Sequence, residues 1–127
     1  MKYGRALLGL GTDVARVLGH AMTNEEEATV EAILADASSL RRLMRGPWTR
    51  DAAERNAKRD RLMLQITLNV KFLLPTADVA FHVEDPFRIG VKDRRNPVGS
   101  PFVLVVTDDH LPPLVSRRKR GKKGTRR

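Results

Sequence analysis

The sequence predicts an α+β fold: an N-terminal helical hairpin of two or three helices, packed on a small antiparallel sheet of about four strands, with a disordered basic C-terminal tail. Three observations point there. Residues 24–45 carry a capped apolar stripe of helical period. From Leu64 the apolar residues switch to every second position. Beyond Pro75, short apolar runs are separated by turn-forming residues.

The first helix is expected within residues 5–20, with Leu7, Leu10, Val14, Val17 and Leu18 on one side. Gly9 and Gly11 weaken its start, so Thr12 is a candidate cap, and Gly19 ends it. The short link to Thr23 predicts an antiparallel hairpin with the next helix.

That second helix has the strongest signals. Thr23 and Glu26 form a capping box, and Glu25, Glu26 and Glu27 place negative charge at the positive end of the helix dipole. Val30, Ile33, Leu34, Ala37, Leu40, Leu43 and Met44 make the buried stripe. Arg41, Arg42 and Arg45 lie toward the negative end, and Gly46-Pro47 stops the helix. Residues 50–61 predict a third helix that buries little, since only Ala52, Ala53 and Ala57 are apolar.

Leu64, Ile66, Leu68, Val70 and Phe72 alternate with polar residues without a fault, which predicts a half-buried strand over 62–73. Its apolar face is expected to pack on the helical hairpin. Further strands are expected at 78–83, 87–91 and 102–107, separated by Asp85-Pro86 and by the polar loop 93–101. The predicted organisation is one domain over 1–115, helical over 5–61 and β-rich over 62–107, followed by a tail over 116–127.

Charge divides the chain differently. Residues 117–127 hold eight of the 24 Lys and Arg and no acid, leaving 16 basic against 15 acidic residues in 1–116. A near-neutral body with a cationic end points to a polyanionic partner. Arg117, Arg118, Lys119, Arg120, Lys122, Lys123, Arg126 and Arg127 are the first candidates for phosphate contact. The segment has no aromatic residue on which bases could stack, so it supplies affinity rather than sequence choice. RRKRGKK also resembles a basic nuclear-import signal.

A second basic set lies in the body: Arg55, Lys58 and Arg59 on the predicted third helix, flanked by Arg50 and Arg61, with Arg94 and Arg95 in the long loop. The bland alternative is a solvated face whose cations pair with Asp51, Glu54 and Asp60. The polar side of the alternating segment, Gln65, Thr67, Asn69 and Lys71, reads most simply as a solvent face.

Other chemistry is poorly supported. The chain has no cysteine, so disulfides and thiolate metal sites are excluded. Gly9-Leu10-Gly11-Thr12-Asp13-Val14 lacks the third glycine of a dinucleotide-binding turn, and no GxxxxGK[ST] sequence occurs. Asp78, His82 and Glu84 alternate along an expected strand and are the best candidates for a cation site. His20 follows a helix-ending glycine and reads as a helix-end contact.

Asp108-Asp109-His110-Leu111-Pro112-Pro113-Leu114 resembles the opening DHxxPL segment of HNH nucleases. The resemblance implies that His110 would activate water and the preceding acid would help hold a metal. It covers about seven residues, and the downstream asparagine and second histidine of that family are missing.

The expected function is that of a non-catalytic nucleic-acid-associated structural or assembly protein. It would belong to a ribonucleoprotein, or to a virion, whose coat-like parts carry basic arms facing the genome. RNA or DNA is the expected partner, with protein partners or self-assembly beside it. No cofactor, metal or membrane is expected, and the expected location is intracellular or within a virion rather than secreted. Two alternatives stand: an adaptor docking its tail on an acidic protein surface, and a small metal-dependent nuclease.

Overall fold

The computed structural model describes residues 4–46, 51–84, 86–93 and 103–112, with side chains from Gly9 onward. The chain runs α1 (Gly4–Leu18), α2 (Asn24–Arg45), α3 (Ala52–Leu73), β1 (Ala77–His82), β2 (Arg88–Asp93) and β3 (Leu104–Thr107), then a 3-10 turn at Asp108–His110. The architecture is α+β, three helices with a three-stranded antiparallel sheet in the order β1-β2-β3.

Helix α1 begins at Gly4 and passes through Thr12 rather than starting there. Gly11 is buried, and a Cβ in its place would meet Met22 Cε at 2.9 Å, so the glycine admits the Met22 side chain. Gly19 ends the helix at φ 85°, its N–H donating to Ala15 O at 2.8 Å. Helix α2 follows the sequence closely. Thr23 Oγ1 accepts from Glu26 N–H at 3.1 Å, Glu26 Oε1 accepts from Thr23 N–H at 2.9 Å, and Gly46 at φ 81° closes the helix.

The segment 62–73, expected above as the first of the strands, is helical. α3 continues from Ala52 through Leu73, so the β-rich part of the chain begins at Ala77. No Gly or Pro lies between Asp51 and Leu74, so nothing in the sequence stops propagation once the helix has started. Asp51 caps it, accepting from Glu54 N–H at 3.0 Å. Within it, Thr67 Oγ1 donates to Met63 O at 2.8 Å, satisfying the one hydroxyl of this stretch.

The helix also changes what the alternating residues do. Ile66, Val70 and Leu73 are buried, whereas Leu64, Leu68 and Phe72 are 58%, 58% and 53% exposed. The alternation therefore does not mark one core-facing side.

The most extensive helix pairing is that of α2 with α3; α1 also packs on α2, over a smaller contact. Helices α2 and α3 are each 22 residues long, about 33 Å at 1.5 Å per residue. Extensive contact across a six-residue link requires them to run in opposite directions.

Strands β1, β2 and β3 match the expected positions, and register sets their faces. Val79 opposes Val91 and Phe81 opposes Ile89; Ile89 in turn opposes Val106, and Val91 opposes Leu104. This row lies on the inner face. Ile89, Val91, Leu104 and Val106 join Leu10, Val14, Val30, Leu34, Leu40, Ile66 and Phe87 in one core. Asp78, Ala80, His82, Arg88, Lys92 and Val105 lie on the other face. Lys71 Nζ donates to Ala77 O at 2.9 Å, fixing the passage from α3 into β1.

Candidate nucleic-acid interface

The sequence-predicted phosphate contacts divide into two groups. Arg117, Arg118, Lys119, Arg120, Lys122, Lys123, Arg126 and Arg127 lie outside the described residues, as do Arg94 and Arg95 and the expected disorder of the tail. Arg55, Lys58 and Arg59 lie on the first half of α3.

Those three are not equivalent. Arg59 donates through Nε to Asp60 Oδ1 at 3.0 Å and through Nη1 to Asn56 Oδ1 at 3.4 Å, so its guanidinium is engaged locally. Lys58 stands 3.8 Å from Glu54 one turn earlier, with both side chains more than half exposed. Such a pair is loose and screened by water. Arg55 is partly buried near the start of the helix.

Where α3 packs on α2, Ser39 and Leu43 of α2 face Lys58, Arg61, Leu62 and Gln65 of α3 across an open groove of about 300 Å³. Two of its lining residues are cations and none is an acid. Arg61, treated above only as a flanking residue, belongs to this groove, whereas Arg55 and Arg59 do not line it. No local sequence signal joins Arg61 to Ser39, because their proximity depends on how the helices pack.

The end of the described chain is held by a contact that the sequence reading missed. Arg41, on the buried side of α2, donates through Nη1 to Asp108 Oδ1 at 3.0 Å and through Nη2 to the Pro112 carbonyl. Its side chain is only 5% exposed, and its Nε is buried without a hydrogen-bond partner among the described residues. Arg45 approaches the other carboxylate oxygen of Asp108 at 3.8 Å. Leu111 is buried beside this contact. The chain preceding the basic segment is thus tied to α2 by a charge-assisted fork.

The same geometry occupies the segment that resembles an HNH motif. Asp108 is engaged by Arg41. His110 Nδ1 accepts from Thr107 N–H at 3.0 Å, which leaves Nε2 to carry the proton of the neutral ring. The ring thereby caps the 3-10 turn.

Of the proposed cation ligands, Asp78 and His82 share the outer face of β1, while Glu84 lies beyond the strand. No group of three or more His, Cys, Asp or Glu suited to a metal ion occurs among the described residues. His20 donates through Nδ1 to Ala21 O at 2.8 Å just past α1. No described helix is long and apolar enough to cross a membrane. Compared with known proteins, the chain matches no family, no curated protein and no solved structure.

Proposed function

We propose that the chain is a non-catalytic nucleic-acid-associated protein, a structural or assembly component of a ribonucleoprotein or a virion, that holds phosphates through its basic C-terminal segment. Charge segregation carries this reading: residues 117–127 contain eight Lys and Arg and no acid, against a nearly balanced remainder. Cations in this density displace the counterions condensed on a nucleic-acid backbone, and the released ions drive association. The Arg41 fork supports the reading, since it ties the chain at Asp108 and Pro112 to a rigid helix shortly before the basic segment begins. The groove cations Lys58 and Arg61 would extend the footprint on the body.

The test compares the full chain with one ending at Ser116 for binding to labelled single-stranded RNA and duplex DNA over a range of salt. The full chain is expected to bind with a log–log salt slope approaching about −7 on duplex if all eight side chains engage. The shortened chain should lose most of both affinity and slope while keeping its fold. Binding that is unchanged by truncation, or flat with salt, overturns the proposal. Loss of a protein partner with RNA and DNA binding intact would favour the adaptor instead.

A further inference from the structure

We infer that the groove between α2 and α3 is a phosphodiester-binding subsite on the folded body, with Lys58 and Arg61 as its cations. This rests on the nucleic-acid reading above and gives it a defined second contact.

Residues 58, 61, 62 and 65 follow the i, i+3, i+4, i+7 spacing of one helix face, and Ser39 and Leu43 occupy successive turns of the facing helix. The packing of α2 on α3 therefore turns a scattered basic sequence into a concave site. Its volume of about 300 Å³ lies at the small end of ligand pockets. Leu43 and Leu62 are partly buried and supply an apolar wall. Ser39, Arg61 and Gln65 are exposed and bring polar groups to the lining.

The electrostatics select an anion. No acid lines the groove, and Glu54 reaches Lys58 only at 3.8 Å in an exposed pair. Arg61 has no ion-pair partner among the described residues. A guanidinium presents parallel N–H groups that match two phosphate oxygens, and an ammonium one helical turn away adds a point charge. The Ser39 hydroxyl and Gln65 amide provide neutral donors beside them. The apolar wall suits the sugar or base edge flanking a phosphate in a single strand more than it suits a free inorganic ion.

The 127-residue chain decides this. Lys58→Ala/Arg61→Ala is compared with unmodified chain and with Arg88→Ala/Lys92→Ala, which removes the same charge from the exposed outer face of the sheet. The probe is a labelled poly(U) oligonucleotide titrated at several salt concentrations. The groove variant is expected to lower the magnitude of the salt slope by about 1.4, two contacts at about 0.7 each on a single strand, and the sheet variant to leave it unchanged. Ultraviolet crosslinking of the unmodified chain to poly(U) should give adducts within residues 58–65. Equal slopes for all three chains, or crosslinks confined to the C-terminal segment, overturn the subsite and leave the proposed function standing. Salt-insensitive binding by every chain overturns both. If the groove variant fails to fold, the crosslink map alone decides.

Discussion

Arg41 Nη1 lies 3.0 Å from Asp108 Oδ1 across 67 positions of sequence, joining the C-terminal part of α2 to the 3-10 turn that follows β3. The pair is asymmetric: the arginine side chain is 5% exposed and the aspartate 35%. Removing Arg41 leaves a carboxylate that water can reach. Removing Asp108 leaves a buried guanidinium with less compensation. Arg41→Met is therefore expected to cost about 2–3 kcal/mol, below the roughly 3–5 kcal/mol of a broken fully buried pair, and Asp108→Ala to cost more. Urea unfolding of both variants checks the order, and the reverse order would contradict this account.

Ile66 and Leu68 separate a helix from a strand by stability alone. On a strand they share a face, and truncating either would cost alike. On α3, Ile66 is fully buried and Leu68 is 58% exposed. Ile66→Ala is expected to destabilise by about 2–5 kcal/mol, and Leu68→Ala by less than about 1 kcal/mol. Denaturant midpoints measured side by side give the answer, and equal losses would argue for the strand.

Gly9 and Gly11 sit inside α1 with different surroundings. A Cβ at Gly9 meets nothing within 4 Å, so Gly9→Ala is expected to stabilise by about 0.5–1 kcal/mol through helix propensity. At Gly11 the new carbon meets Met22 Cε at 2.9 Å, and the flexible methionine end must shift. Gly11→Ala should gain less than Gly9→Ala in thermal unfolding.

Asp36 titrates against the fold. Desolvation by burial on α2 raises its pKa above the ordinary 3.8. Its folded-state pKa exceeds the unfolded one, so the group favours folding below the unfolded value. That contribution is lost as pH rises through the folded value. Asp36→Asn should then be the more stable form at neutral pH, with the difference closing on acidification below the ordinary carboxyl range. Paired unfolding curves at neutral and acid pH test the sign.

How much of this was legible follows from particular residues. α2 was readable because Thr23, Glu26 and Gly46 mark both ends in the local sequence. The strands at Ala77, Arg88 and Leu104 were readable from short apolar runs between turns. α3 was misread beyond Arg61 because two series of i, i+4 spacing interleave there: Ile66 and Val70 buried, Leu64, Leu68 and Phe72 exposed. Offset by two, they imitate strict alternation. The missing turn between Asp51 and Pro75 was the signal that a helix continues.

The candidate site divides in the same way. The cationic end is a matter of composition and is visible at once. The groove and the Arg41 fork depend on helix packing and chain return, which no local pattern records. Arg41 sat among three arginines near a helix end, where a dipole contact was the natural reading.

The double character of α3 has a consequence for the protein outside its native state. Leu64–Val70 reads LQITLNV, seven residues without a charge, a proline or a glycine. Held in the helix, its backbone bonds are internal and its two apolar edges point apart. Melted but not dissolved, the same stretch has the composition that stacks into cross-β ladders. Heat or mild denaturant that loosens α3 first should therefore drive the chain toward fibrils or precipitate before global unfolding is complete.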